Sequence, residues 1–332
     1  MTNTTAQDFL FQRIRELLPQ DSTLAEAVSE ILHVSNDSAY RRIRGETLLV
    51  LEEARTLCDH FHLSLDQLLK GKSGFTLFQT QHVVTASFSF ANYLKEILGH
   101  LEVVNGCKKK ELVYLSKDLP FFHNFIAEPL LAFHYFFWMK SIVRQAGFEK
   151  QKFKMDCLTD EIRELGRKIL ELYNSIPSSE IWNTECVDSL IFQIESYKEA
   201  GYFSSPGDIK KVYEAVEDTI NHLKDQAEAG CKFLRGESSQ FKKNDYQFFY
   251  NRVTLGDNTV LAVMDNFKMV FLNYDVLNYI STRDEKFCNE IHDDLRALIR
   301  RSTMISSTSE KQRNIFFRIL LGKIQERKNH LK

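Results

Sequence analysis

The segment that most constrains how this chain can fold spans residues 24–69 and reads LAEAVSEILHVSNDSAYRRIRGETLLVLEEARTLCDHFHLSLDQLL. A turn at residues 33–35 separates two short stretches, the first of them with apolar residues at helical spacing. Ser35 suits the N-cap of a helix over residues 36–44, and Gly45 suits its end. Ala39 and Ile43 are four residues apart and would face a core. The pattern predicts two short helices joined by a tight turn, an arrangement that can present side chains to the major groove of DNA.

Several positions of this segment match one known family, and the match covers about residues 8–70. They are Val28, Leu32, Val34, Ser35, Gly45, Glu46, the run Leu51-Glu52-Glu53-Ala54 and the run LSLDQLL at residues 63–69, which is the most specific part. On these residues the segment resembles the helix-turn-helix DNA-binding domain of the Xre/Cro–CI type, including its BetR-like variants. The sequence departs from the family pattern at Ser29, at His33 in the turn and at Arg42, where an apolar residue is usual.

The resemblance implies that the second helix reads double-stranded DNA. Its outward-facing polar residues would contact the bases or the backbone, and they are Asn36, Ser38, Tyr40, Arg41 and Arg44, with Arg42 as a phosphate contact. Arginine and asparagine can form paired hydrogen bonds with guanine and adenine edges, and serine or tyrosine suits phosphate. The alternative is a solvated helix face without a nucleic-acid partner.

The charge of the first domain does not favour tight binding by a single copy. Residues 1–70 contain seven Lys and Arg against eleven Asp and Glu, a difference of −4, whereas most DNA-binding domains carry a basic patch. The positive charge is concentrated at Arg41, Arg42 and Arg44. We therefore expect a homodimer, which would double the phosphate contacts and read two half-sites.

A chain of 332 residues is long enough for two domains. We expect a helix-turn-helix domain over residues 1–70, a linker at residues 71–74 (GKSG), and a dimerisation or effector-sensing domain over residues 75–332. Most of the second domain has helical patterning, with short strands at residues 75–79 and 111–116. Residues 246–255, 259–264 and 268–274 predict a three-stranded antiparallel meander. The predicted fold class is mainly α, with a small antiparallel β-meander inside a mostly helical α+β domain.

The six cysteines are scattered without a C-x-x-C pair, a pattern typical of cytosolic thiols. The first residues lack a basic start followed by an apolar run, so no secretory signal is predicted. The most apolar stretch, residues 119–139, is interrupted by His123, Asn124, Glu128, Pro129 and His134, which argues against a membrane span. The prediction is a cytoplasmic protein with no membrane partner.

An unusual concentration of aromatic residues lies between residues 121 and 138. Core packing or a dimer contact accounts for such a cluster. A sharper hypothesis is an apolar ligand pocket for a small-molecule effector, with His123 and His134 as polar groups and Phe133 and Trp138 among its walls. A protein effector is the other possibility.

The sequence contains no phosphate-binding glycine loop and no nucleophile elbow, and it justifies no catalytic residue, metal ligand or cofactor. The pair Cys288 and His292, four residues apart, is one pair and not a metal site. The sequence therefore predicts a sequence-specific transcriptional regulator that is not an enzyme. Two alternatives remain: a protein–protein docking module built on the helix-turn-helix fold, which the acidic balance favours, and an enzyme in the second domain with the meander as a small ligand-binding sheet.

Overall fold

The computed structural model of the protein describes residues 5–18, 22–61, 63, 76–81, 88–237, 246–253 and 255–331. The chain divides into two compact units, Met1–Leu77 and Phe78–Lys332, called here the N-terminal and C-terminal units. The predicted linker at residues 71–74 and all but the first residue of the run at 63–69 lie outside the described ranges. Within those ranges, none of the helices combines the length and apolar character needed to cross a lipid bilayer.

The N-terminal unit contains four described helices, α1 (Ala6–Leu17), α2 (Leu24–Leu32), α3 (Asn36–Ile43) and α4 (Leu51–Phe61). Thr5 and Thr23 begin α1 and α2 as N-caps, each in a reciprocal capping box with the acidic residue three positions later. His33 ends α2 in the left-handed conformation, with φ of 53°. The chain therefore turns sharply at a residue in a conformation that glycine or asparagine more commonly adopts.

A small core holds these four helices together. Its buried members come from all four and are Leu10, Phe11, Ile14, Leu24, Val28, Ala39, Leu57 and Cys58. Ile43 packs against this core from its edge, as its spacing from Ala39 predicts. Gln7 adds a polar contact, because its amide nitrogen donates to the carbonyls of Arg42 and Thr47 and its oxygen accepts from the Leu49 amide at 2.9 Å. Gln7 thus fixes the chain that leaves α3.

An eight-stranded mixed sheet lies at the centre of the C-terminal unit as described, in the order β1-β7-β6-β5-β2-β3-β4-β8. The strands are β1 (Gln79–Gln81), β2 (Lys110–Ser116), β3 (Ser178–Trp182), β4 (Tyr246–Tyr250), β5 (Thr259–Met264), β6 (Phe267–Asn273), β7 (Tyr279–Thr282) and β8 (Thr303–Met304). Strands β2, β3 and β4 are parallel to one another, and every other neighbouring pair is antiparallel.

Helices cover both faces of this sheet. They are α5 (Phe90–Gly106), α6 (Glu128–Phe137), α7 (Asp160–Ser175), α8 (Asp188–Glu199), α9 (Pro206–Ala229), α10 (Glu285–Arg300) and α11 (Glu310–Asn329), with a 3₁₀ helix at Phe121–Phe125 and a π-helical turn at Trp138–Ile142. Side chains alternate along β2, so Leu112 and Tyr114 join the larger core while Val113 joins a second one with α10. Parallel strands in the middle of a sheet need this two-sided cover.

The predicted fold class is wrong. The protein is 56% helix and 14% strand, and its eight-stranded mixed sheet makes it an α+β fold rather than a mainly α protein with a small meander. The helical patterning of the second domain was read correctly over most of its length. The strands between the helices are only two to seven residues long, so they contribute few residues to the chain although they organise its core.

The predicted meander is also wrong in its first strand. Residues 246–255 were expected to pair with residues 259–264, but β4 lies between β3 and β8 and is separated from β5 by two strands. The β5–β6 hairpin pairs as expected, and its next antiparallel neighbour is β7. Both faces of β4 carry buried side chains, Tyr246 and Phe248 on one side and Phe249 on the other, which favours an interior position over a hairpin edge.

Candidate nucleic-acid interface and candidate ligand cavity

Helix α3 presents an exposed polar face. Ser35 caps its start, with its hydroxyl accepting from the Ser38 amide at 3.2 Å, and Ala39 is fully buried beneath it. Three of the predicted residues lie four positions apart and share one side of the helix, namely Asn36, Tyr40 and Arg44. All three are exposed, so the local geometry leaves them available to a partner.

Arg41 and Arg44 are the exposed cations of this face. Their side chains are 58% and 68% exposed, and each lies almost 4 Å from a carboxylate oxygen of Glu46. The Arg44 guanidinium lies 5.8 Å from the centre of the Tyr40 ring. Exposed pairs at such distances are weak. A phosphate or a base edge could replace Glu46 as the partner of either arginine at little cost.

Arg42 has a different position from its two neighbours. Its guanidinium forms a two-point ion pair with Glu53 of α4, at 2.7 and 3.1 Å, and also donates to the Ser38 carbonyl. Its side chain is only 17% exposed. The hydrogen bond from Arg42 holds the pKa of Glu53 below its ordinary value. Arg42 therefore joins α3 to α4, and we no longer expect it to contact phosphate. Ser38 is half-buried beside it.

A cavity of about 350 Å³ lies in the C-terminal unit between α5 and one face of the sheet. This volume falls within the range of small-molecule sites. Its sheet wall is formed by Leu112, Tyr114, Val260, Phe271 and Tyr279, and other walls come from α5, the 3₁₀ helix, α6 and α8. It lies beside the carboxyl end of β2, where Asp118 and Leu119 follow the strand. In sheets with parallel strands, that end is where ligands commonly bind.

The cavity lining is strongly aromatic. Trp138 stacks against His134 with ring centres 5.2 Å apart and against Phe121 at 5.8 Å, and the edge of Phe121 packs near Tyr93. These rings belong to different helices, so the 3₁₀ helix, α5 and α6 meet there. At one margin the lining residues Tyr274 and Val276 are about half exposed, at 49% and 46%.

Four lining residues have a buried polar atom without a hydrogen-bond partner among the described residues. The atoms are Asn124 Oδ1, His134 Nδ1, Gln193 Oε1 and Tyr279 Oη. Asn124 and His134 are only 3% and 6% exposed. Buried polar atoms are ordinarily paired, since an unpaired one costs about 1–3 kcal/mol. Their grouping around one cavity indicates a place where a ligand would supply the missing partners.

A buried charge cluster lies under the wall formed by Tyr114 and Phe122. Glu180 of β3 pairs with Tyr114 in the sheet register and is completely buried. Its carboxylate accepts from the Tyr173 hydroxyl and, at 2.9 Å, from the Trp182 indole, and His123 Nε2 lies 3.0 and 3.1 Å from its two oxygens.

Lys232 also lies near this carboxylate. Its ammonium is buried, donates to the Tyr173 carbonyl at 2.6 Å and lies 3.7 Å from the centre of the Tyr173 ring. Burial lowers the pKa of Lys232 to about 7, against the attraction of Glu180. Burial also raises the pKa of Glu180, but His123, Tyr173 and Lys232 together bring that pKa below its ordinary value. Glu180 is therefore an anion held by its neighbours.

The four residues predicted for a ligand pocket are divided by the structure. His134 and Trp138 line the cavity, and burial lowers the pKa of His134 to about 3, so its imidazole is neutral. His123 belongs to the Glu180 cluster instead. Phe133 is fully buried in the larger core, stacked on Phe203 at 5.8 Å.

Sequence reasoning missed the polar cavity residues other than His134, and it missed the Glu180 cluster apart from His123. Gln193 and Asp118 come from segments with ordinary helix or loop patterning, and Tyr279 follows a turn. The strand that carries Glu180 reads SSEIW, which has no apolar alternation before Ile181. Asn124 had the same signal as His123 and His134, since all three are polar residues inside an aromatic run.

Comparisons of the chain with protein-family models, with curated proteins and with solved structures found no match. Over the described ranges, no group of three or more His, Cys, Asp or Glu side chains has an arrangement that could hold a metal ion.

Proposed function

We propose that the chain is a sequence-specific DNA-binding transcriptional regulator, acting as a homodimer, in which the C-terminal unit senses an effector or mediates assembly. The observation that carries this proposal is the exposed face of α3, with Asn36, Tyr40, Arg41 and Arg44 available above a buried Ala39. Arginine and asparagine are the residues best suited to base edges in the major groove. The two-helix arrangement of α2 and α3, with its tight turn, supports the same proposal.

The first experiment is selection of bound duplexes from a random DNA pool by the full chain. An enriched motif with two-fold symmetry is expected, because a dimer reads two half-sites. The same selection with the double variant Arg41→Ala/Arg44→Ala should enrich nothing. A charge-matched control, Arg300→Ala/Arg301→Ala at the exposed end of α10, should enrich the original motif. Absence of enrichment by the folded wild-type chain would contradict the proposal.

Arg41 provides the sharpest single-residue test. Arg41→Ala should weaken binding to the selected site by about 1–3 kcal/mol if Arg41 reads a base. The change is measured by titration of labelled duplex at one stated salt concentration, because phosphate contacts are salt-dependent. Base reading also predicts relaxed preference at one position of the site. Equal affinity and an unchanged motif would remove Arg41 from the interface.

A protein-docking module is the second candidate, and two observations favour it. The charge of residues 1–70 is acidic, and the segment after α3 exposes three large apolar side chains, Leu48, Val50 and Leu51, at 76%, 58% and 66%. Exposed apolar groups together with an acidic surface suit a protein partner better than a polyanion. If the affinity of the chain for DNA is the same at low and at moderate salt concentration, that result would favour this candidate over the first.

A further inference from the structure

The charged side chains that line the cavity of the C-terminal unit are acidic. Asp118, Asp257 and Asp275 are among its lining residues, and the lining that the structure describes includes no Lys or Arg. The two lining histidines do not offset this, since burial lowers the pKa of His100 and of His134. A phosphate or carboxylate ligand would meet no cation there, so the cavity disfavours anions.

Asp118 is the acid best placed to meet a ligand. Asp257 pairs with Lys117 at 2.8 Å, whereas Asp118 forms no ion pair among the described residues. Its carboxylate accepts from two neutral groups, the Asn258 amide nitrogen at 3.5 Å and the Ser189 side chain. Burial raises the pKa of Asp118 despite the nearby Lys117. The Asp118 carboxylate therefore has no counter-ion in direct contact among the described residues.

The unpartnered polar atoms add a second, independent requirement. Asn124 Oδ1 and Gln193 Oε1 can only accept hydrogen bonds, while the Tyr279 hydroxyl and the neutral imidazole of His134 can accept as well as donate. With the Asp118 carboxylate, the cavity offers mostly acceptors. A ligand that satisfies it must be rich in N–H or O–H donors.

The aromatic walls provide the third requirement. Phe121, Trp138 and Tyr93 meet around the space, and ring faces bind both flat apolar groups and organic cations. We propose that this cavity binds a small aromatic amine in its protonated form, with the ammonium group at Asp118 and the ring against Phe121 and Trp138. Binding of the amine does not depend on whether the chain binds DNA. The role of the amine as an effector rests on the proposed DNA-binding function.

Three molecules that differ only in the end group test the charge requirement. Tryptamine ends in an ammonium group, tryptophol in a hydroxyl and indole-3-propionate in a carboxylate. In calorimetric titrations of the full chain, tryptamine should bind about tenfold or more tighter than tryptophol, and indole-3-propionate should not bind measurably. Tighter binding of the carboxylate, or no binding of any of the three by folded protein, would overturn the proposal.

Asp118→Asn keeps the shape of the side chain and removes its charge. It should bring the affinity for tryptamine down to that for tryptophol and leave tryptophol binding unchanged. The matched control is Asp294→Asn, an exposed residue of α10 outside the cavity lining, which should bind all three molecules as the wild type does. Unchanged tryptamine binding by Asp118→Asn would overturn the assignment of the ammonium position.

The outcome is separable from that of the DNA experiments. The variant Arg41→Ala/Arg44→Ala should bind tryptamine with wild-type affinity, because both changes are in the N-terminal unit. If tryptamine binds and no DNA motif is enriched, the ligand site holds and the regulatory function fails. If a motif is enriched and no amine binds, the ligand proposal alone is overturned.

Discussion

Glu180 is a fully buried acid whose oxygens are occupied by His123, Tyr173 and Trp182. Such an arrangement makes removal of the charge expensive, because Tyr173 and Trp182 lose an acceptor and Lys232 loses the nearby anion. The cluster lies directly behind the wall of the cavity through Tyr114. Tyr173 of the cluster stacks on the lining residue Phe122 with ring centres 4.2 Å apart, so the cluster supports one aromatic wall of the cavity.

Glu180→Gln should lower the free energy of unfolding by about 3 kcal/mol. The amide keeps the size of the side chain, but one of its ends can no longer accept from Tyr173 or Trp182. Urea denaturation of the full chain, followed by tryptophan fluorescence, measures the change. Glu199→Gln, an exposed position on α8, is the control and should stay within about 0.5 kcal/mol of wild type. Equal stability of both variants would contradict a structural role for the carboxylate.

Lys232 makes a distinct prediction about pH. Its pKa is about 7 in the folded protein, below the ordinary value near 10.4 in an unfolded chain. Between these values the unfolded chain binds more protons, so the free energy of unfolding should rise with pH, by up to ~1.4 kcal/mol per unit from this group. Lys232→Met removes the titration. The free energy of unfolding of the wild type minus that of the variant should therefore increase from pH 7 to pH 9.

Denaturation curves for both proteins at pH 6, 7, 8 and 9 would test this. Below pH 7 the difference should be nearly constant, because Lys232 is then protonated in both states. If the free energies of unfolding of the two proteins differ by the same amount at every pH from 7 to 9, the pKa of Lys232 is not lowered in the folded protein.

What could be predicted from sequence differs from residue to residue for a physical reason. Helix caps are local signals, so Ser35 and Gly45 predicted a helix over residues 36–44, and the structure has Asn36–Ile43. Apart from Trp182, the hydrogen-bond partners of Glu180 lie 7 and 57 positions away in the chain, and no local pattern displays them. The same holds for Asp118 and Gln193 in the cavity, whereas His134 and Trp138 stood out within an aromatic run.

At the scale of elements, α3 is held by contacts that its own sequence does not show. The ion pair of Arg42 with Glu53 joins it to α4, and the amide of Gln7 joins its end to α1. Strand β3 presents the same difficulty in the larger unit. Its residues are all buried although three of the five are polar, because parallel neighbours on both sides satisfy the backbone and Glu180 finds partners in the core. Segments of this kind resemble helix starts or loops in sequence.

The stabilisation that the contact between α3 and α4 provides should depend on pH. The hydrogen bond from Arg42 lowers the pKa of Glu53 in the folded protein. The ion pair therefore contributes fully to the free energy of unfolding above the unfolded-state pKa, near 4.3, and this contribution is lost as the pH falls through the lower pKa of the folded state. Glu53→Ala also removes the acceptor for the Val50 amide at the start of α4. We expect it to destabilise the N-terminal unit by about 1–3 kcal/mol at pH 7.

Amide hydrogen exchange of α3 and α4 in the full chain measures this loss. The difference in stability between wild type and Glu53→Ala that the exchange rates give should become smaller below pH 4. Glu52→Ala, whose exposed side chain precedes Glu53, provides the control. If Glu52→Ala and Glu53→Ala increase exchange equally, the ion pair does not hold the two helices.

At the scale of the whole molecule, each unit has a core of its own. The core of the N-terminal unit includes the fully buried Leu57, and that of the C-terminal unit includes the fully buried Leu261. Both tryptophans of the chain, Trp138 and Trp182, belong to the C-terminal unit. Tryptophan fluorescence therefore reports on that unit alone, while DNA binding would report on the other.

Leu57→Ala should cost about 2–5 kcal/mol, which is enough to unfold a marginally stable unit of this size. We expect it to abolish DNA binding and reduce helical circular dichroism while the tryptophan transition and tryptamine binding remain at wild-type values. Leu261→Ala is the matched change in the other core, and it should shift the tryptophan transition to lower denaturant concentration. A shift of that transition by Leu57→Ala would instead mean that the two units unfold together, so that a ligand bound by one would stabilise the other through a shared equilibrium.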